Sequence, residues 1–320
     1  MREKSNHLHL FAGEVRMTEE VTFVVIAYNE VQGIVQCINS ILNQESPLSY
    51  SVVVVDDGST DGTADLVETT FNGTVRVIRQ QNMGRGSARL TGLQSCLTKY
   101  VAMVDADICL PINWLAVCLE NIEAYDGVGG IAIPDGDCST ISRIFRLEPR
   151  RTGGSISLTG NNSMFRTEIL KELGKEWVTP QGEDFRLQKM LDERGYKTFR
   201  IPDLIVEHRE KKSFRKTLNW FFISGKDATK LWFQYRGIRL PDIVAVNFTL
   251  ISIIALATFI AGSSIGTALL LIFLLAVGLT HLSTKFEFRG QSHRLLLAWI
   301  PNSTLMTAYL IGRVVGIFAR

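Results

Sequence analysis

The chain has 320 residues, 46% of them hydrophobic, with 34 Lys and Arg against 32 Asp and Glu and a formal net charge of +2. So even a balance gives no basis for a nucleic-acid partner. Five cysteines (Cys37, Cys96, Cys109, Cys118, Cys138) form no CxxC pair and are odd in number, which suits a reducing compartment rather than a disulfide framework or zinc site.

Residues 1–19 are polar except for a short apolar patch at 8–11, too brief for the h-region of a signal peptide, and are expected to form a mobile tail. From residue 21, β-branched runs alternate with helical patterns. The strands are expected at 21–27, 51–55, 75–79 and 100–104, and the helices at 31–43, 63–70, 87–98 and 113–124. Such alternation predicts an α/β domain over residues 20–210, Rossmann-like, with a mostly parallel sheet and helices on both faces.

Ligands of such sheets sit beyond the carboxyl ends of the strands, and three of the four loops there carry reactive groups. Ala27-Tyr28-Asn29-Glu30 follows the first strand, Asp56-Asp57-Gly58-Ser59 the second, and Asp105-Ala106-Asp107 the fourth. Alternation sends the carboxylates of Asp105 and Asp107 to one side of the chain. Oxygen ligands of that kind suit Mg2+ or Mn2+, and a nucleotide diphosphate needs such a cation, although an acidic turn capping the helix after Pro111 accounts for the triplet as well. Asp56 or Asp57 can reach an N–H of a base where the buried strand surfaces, or can close an ordinary Asx turn with Gly58.

The stretch 82–89 is a small-residue helix entry with two guanidinium groups, Arg85 and Arg89, suited to phosphates and lacking the GxGxxG spacing of a dinucleotide site. Residues 159–166 read as a turn and a short strand, and Gly182-Glu183-Asp184-Phe185 opens a helix that runs to Gly195. Acidic first-turn residues stabilise any helix by roughly 0.3–1 kcal/mol each, but a carboxylate there also suits the general base that attack by a hydroxyl requires. His208 and Arg209 follow a strand-like run and fit a metal or diphosphate, or a purely structural role.

Residues 211–240 interleave Lys and Arg with Phe and Trp, the pattern of an amphipathic juxtamembrane segment. From 243 to 280 there are 38 consecutive residues without Asp, Glu, Lys or Arg. A single helix of that length would be about 57 Å long against a bilayer core of about 30 Å, so two antiparallel spans turning at Gly262-Ser263-Ser264 are expected. A third uncharged run, 295–312, is interrupted by Pro301, Asn302, Ser303 and Thr304, and either spans or lies re-entrant or interfacial. Arg236 and Arg239 before the first span, with Lys285, Arg289 and Arg294 after the second, place the large domain in the cytoplasm and residues 241–320 in the cell membrane.

Together these motifs, in this order from about residue 21 to 209, resemble the family-2 glycosyltransferases. The resemblance implies a GT-A fold, inversion at the sugar carbon, a UDP- or GDP-sugar donor and Mn2+ or Mg2+. It further implies that Ala27, Tyr28, Glu30, Asp56 and Asp57 hold the nucleoside, and that Asn82 and Arg89 seat the donor. By the same resemblance Asp105 and Asp107 form the DxD site, with Asp107 nearest the metal, and His208 lies near metal or diphosphate. Gly160 and Asn161 would shape the sugar and acceptor pocket; Asp184 would be the base, with Glu183 its competitor. The subgroup resembled elongates lipid-linked or surface oligosaccharides, which makes a lipid-linked hydroxyl the expected acceptor and membrane lipids expected partners. A polyprenyl-phosphate sugar synthase is the alternative, since a phosphate nucleophile needs no base; an inactive sugar-binding membrane scaffold is the second. No QxxRW sequence is present, which argues against a processive polysaccharide synthase.

Overall fold

A computed structural model describes residues 20–134, 158, 160–179, 182–209, 214–235 and 292–318, with scattered helical positions between 257 and 276. The expected mobile tail, Cys138 and nearly all of the two expected spans lie outside the described residues.

The strands are β1 (Val21–Ala27), β2 (Tyr50–Asp56), β3 (Val75–Arg79), β4 (Tyr100–Asp105), β5 (Ile108–Cys109), β6 (Gly127–Pro134), β7 (Asn162–Arg166) and β8 (Thr198–His208). The helices are α1 (Ile34–Leu42), α2 (Thr63–Thr70), α3 (Arg85–Ser95), α4 (Trp114–Ile122), α5 (Thr167–Glu172), α6 (Glu183–Glu193), α7 (Phe214–Tyr235) and α8 (Ser292–Phe318). One eight-stranded sheet in the order β3-β2-β1-β4-β7-β6-β8-β5 carries the domain.

The sheet is mostly parallel, as expected, but mixed by two opposed strands. The strands β3, β2, β1 and β4 are mutually parallel, but β7 runs antiparallel to both β4 and β6, and β5 antiparallel to β8. Parallel strands buried on both faces read as continuous apolar runs, and every residue of β1 is buried. Alternation divides them. Phe23 and Val25 pack with Ile34, Ile38 and Trp114 on one face, while Val24 and Ile26 pack with Leu93, Met103 and Trp177 on the other.

Strand β6 begins Gly-Val-Gly-Gly, a composition that reads as loop. The glycines are there for close approach, since a Cβ at Gly129 would lie 2.6 Å from the Asn162 carbonyl oxygen and one at Gly130 2.4 Å from that of Leu204.

The third uncharged run lies within α8, a 27-residue helix that continues through Pro301. It packs along α7 at backbone distance: a Cβ at Gly225 or at Gly312 would come within 2.0 Å of a carbonyl oxygen on the other helix. Thr229 Oγ1 donates to the Arg313 carbonyl at 2.8 Å across this seam. Among the described residues no helix is long and apolar enough to cross a membrane.

Candidate active site

Register brings the reactive loops side by side. Ala27 is level with Asp56 across β1 and β2, and Ile26 with Asp105 across β1 and β4, so three strand ends open at one edge. A cavity of about 230 Å³ lies there, lined by Ala27, Tyr28, Glu30, Asp57, Arg85, Asp105 and Asp107 among others.

The first two loops are fastened to each other. Asn29, in the left-handed region at φ 57°, accepts the Thr60 N–H at 2.8 Å, and its own N–H donates to Ser59 Oγ at 2.9 Å. The Glu30 N–H donates to Thr63 Oγ1 at 2.9 Å. Tyr28 is left 50% exposed at the cavity wall, free to offer its ring to a base.

The neighbouring carboxylates of Asp56 and Asp57 differ in use. Asp57 Oδ1 accepts from Gln80 Nε2 at 2.7 Å and the Met83 N–H at 2.9 Å, and Oδ2 from the Gly84 N–H at 2.9 Å, so this side chain holds the loop before α3. Asn82 rides on that held loop, exposed and outside the cavity lining. Asp56 is buried with one oxygen on the Ser59 N–H, while its Oδ1 has no hydrogen-bond partner among the described residues.

Beyond β4, the two-residue β5 pairs with the end of β8 and sets Ile108 opposite His208. His208 Nε2 therefore sits 3.0 Å from Asp107 Oδ2, and the Arg209 N–H donates to the Asp107 carbonyl at 2.7 Å. No group of three or more His, Cys, Asp or Glu side chains able to hold a metal forms among the described residues. A carboxylate and an imidazole in contact nonetheless fit Mn2+ or Mg2+ in a nucleotide site, where one or two protein donors bind and substrate phosphates with water complete the shell. Asp105 lies two residues away but is engaged elsewhere.

That engagement is a buried ion triad. Arg89, 3% exposed, directs Nη2 to Asp105 Oδ1 at 2.6 Å and Nη1 to Oε1 of Glu183, itself 2% exposed. Burial works against the guanidinium charge, but the carboxylates of Asp105, Glu183 and Asp184 outweigh it and raise the Arg89 pKa. Burial raises the Asp105 pKa as well, opposed by Arg89 and reinforced by Asp107. Gly160 lies against the Arg89 guanidinium, and Asn161 accepts the Asp105 N–H at 3.2 Å through its carbonyl.

Glu183 and Asp184 occupy the first turn of α6, and Asp184 is the less buried of the two. Asp184 accepts its neighbour Phe185's N–H at 2.8 Å and lines a small second cavity with Arg89, Gly160 and Glu183, next to the larger one. Arg85, four residues before Arg89, lines the larger cavity with its side chain half exposed. It is a cavity-lining cation that the resemblance did not single out. Sequence shows both arginines, and burial alone tells them apart.

Residues 22–174 match the model of Glycosyl transferase family 2. The chain carries a family-2 glycosyltransferase domain. This glycosyltransferase is 25% identical over 227 residues to glycosyltransferase AglE of Haloferax volcanii, covering 66% of this chain and 74% of that protein. It is 39% identical over 106 residues to the succinoglycan biosynthesis protein ExoO of Rhizobium meliloti, a match spanning 33% of this chain and only 30% of that relative. A mannosyltransferase of Pyrobaculum calidifontis, solved with GDP-mannose and Mn2+, shares the fold at TM-score 0.62 and 21% identity, over 94% of this chain and 87% of its own. The glycosyltransferase therefore has a GT-A-like α/β fold.

Proposed function

We propose that this glycosyltransferase moves a sugar from a nucleoside diphosphate donor to an acceptor hydroxyl with inversion, using Asp184 as general base. The observation that carries the reading is the meeting of Asp107, His208, Arg85 and Tyr28 at one edge of the sheet, with Asp184 beside it on α6. In support, a neighbour of the same fold was solved with GDP-mannose and Mn2+.

Tyr28 and Asp56 face the nucleoside, and Arg85 faces the phosphates. Asp107 and His208 would hold the cation, which when bound would offset charge on the leaving diphosphate. Asp184 accepts the acceptor's hydroxyl proton while that oxygen bonds to the sugar's anomeric carbon. The bond from that carbon to the diphosphate oxygen breaks on the opposite face, and its electron pair leaves with the nucleoside diphosphate. Arg85 stays on the leaving-group side throughout.

We place the acceptor on a lipid at the cytoplasmic face of the cell membrane, with residues 241–320 integral. Supporting this are the uncharged run from 243 to 280, its flanking basic residues, and the exposure of Ile260, Ile265, Leu269 and Ile272 on helical backbone. The chain should stay in the pellet when membranes are washed with alkaline carbonate; its release would count against this placement.

A panel of UDP- and GDP-sugars with lipid-linked acceptors, assayed with Mn2+ and with EDTA, tests the function. Metal-dependent release of nucleoside diphosphate coupled to glycan product is expected. Silence across the panel would favour the sugar-binding scaffold, and normal transfer by Asp184→Asn would favour a phosphate acceptor.

A further inference from the structure

Resting on the transferase reading above, we propose that Arg89 is a positioning residue that ties the base-bearing helix to the DxD loop without touching the donor. The geometry separates it from the donor: Arg85 lines the larger cavity, whereas Arg89, one helical turn further along α3, is 3% exposed and lines only the small cavity it shares with Glu183 and Asp184. One of its nitrogens is spent on Glu183 and another on Asp105 at 2.6 Å.

Those two carboxylates each sit at a control point. Glu183 opens α6, so fixing its side chain fixes the first turn from which Asp184 projects. Asp105 ends β4 two residues before Asp107. A planar guanidinium can grip two carboxylates from separate edges at once, which an ammonium on a flexible stem cannot do with fixed geometry.

Two glycine contacts show that the packing is built around this strut. A Cβ at Gly160 would stand 2.7 Å from Arg89 Cζ, and a Cβ at Gly86, on the same helix, 2.5 Å from the Thr179 carbonyl oxygen just ahead of α6. A buried ion triad is a weak source of stability, because desolvation offsets the attraction; what it can supply is a single fixed arrangement. Sugar transfer needs that. The base and the leaving group must stand on opposite faces of one carbon, with reacting atoms about 3–3.5 Å apart.

Hydrogen exchange and kinetics of Arg89→Met, Arg89→Lys and Glu183→Gln in the full chain test the proposal. In the chain without ligands, Arg89→Met should speed backbone exchange in both 104–108 and 183–187; no change, or change on one side only, would overturn the strut. For transfer, kcat should fall by about 100-fold, the cost of an ångström-scale misplacement, while the Kd for UDP or GDP with Mn2+ stays within about threefold. Loss of nucleotide binding instead would mean that Arg89 contacts the donor. Glu183→Gln should fall in the same direction by less, and Arg89→Lys should not restore the wild-type rate; full restoration would overturn the two-armed role. In an Asp184→Asn background Arg89→Met should slow transfer little further, whereas independent, multiplicative losses would contradict action through Asp184. A wild-type chain silent toward every donor would count against the transferase reading alone, because the exchange result still decides the strut.

Discussion

The two halves of the active-site edge are built by different means. On the nucleotide side, β1, β2 and β3 are parallel, and the loops that follow them bond directly to one another within about sixty residues of chain, from Asn29 to Gly84. On the other side, Gly160, Glu183 and His208 arrive from far along the sequence, beside an antiparallel strand, and meet the first half through side chains: Arg89 to Glu183, and Asp107 to His208. The nucleotide half is therefore a preassembled cradle, and the other half depends on a few charged contacts. Damage to the first should appear as weaker binding, and damage to the second as slower chemistry, with the cation-holding Asp107 acting on both.

The sharpest way to break that division is Asp184→Asn. A lost general base should lower kcat by about 10²- to 10⁴-fold with donor affinity kept, read by transfer kinetics and nucleotide titration. Asp107→Ala should come next, abolishing the Mn2+ response of the rate and weakening donor binding together; a variant as metal-responsive as wild type would remove Asp107 from the cation site. Arg85→Ala removes a charge from the phosphate side and should raise the donor KM about tenfold with a smaller fall in kcat, in contrast to the kcat effect expected at Arg89. Smallest in rate is Asp57→Asn, which leaves the shape but weakens the hold on residues 80–84. It should cost about 1–3 kcal/mol in denaturant unfolding, with a modest rise in KM and little change in kcat.

The same division decides what could be read from sequence. Apolar runs in β1, β2 and β4 are largely buried on both faces and β3 is a β-branched edge run, so the strands stand out, two of them to the residue, as do the acidic ends of β2 and β4. Strand β6 hides because Gly127, Gly129 and Gly130 carry no apolar signal, and close backbone approach is visible only in three dimensions. The direction of β7 is likewise silent in hydrophobic pattern. Among site residues the types and the loops were legible but their division of labour was not. Asp56 and Asp57 are neighbours, yet Asp57 is consumed by the loop before α3; Arg85 and Arg89 share a helix face, yet one faces the cavity and the other a pair of carboxylates.

The claim on which the rest turns is a single displacement driven by a base on the far side of the sugar from its diphosphate. The anomeric configuration of the first-formed product, followed by proton NMR as transfer proceeds, tests it most directly. The account predicts a configuration opposite to that of the donor. Retention in the initial product would contradict it, since one in-line attack by a hydroxyl that Asp184 deprotonates cannot leave the configuration unchanged.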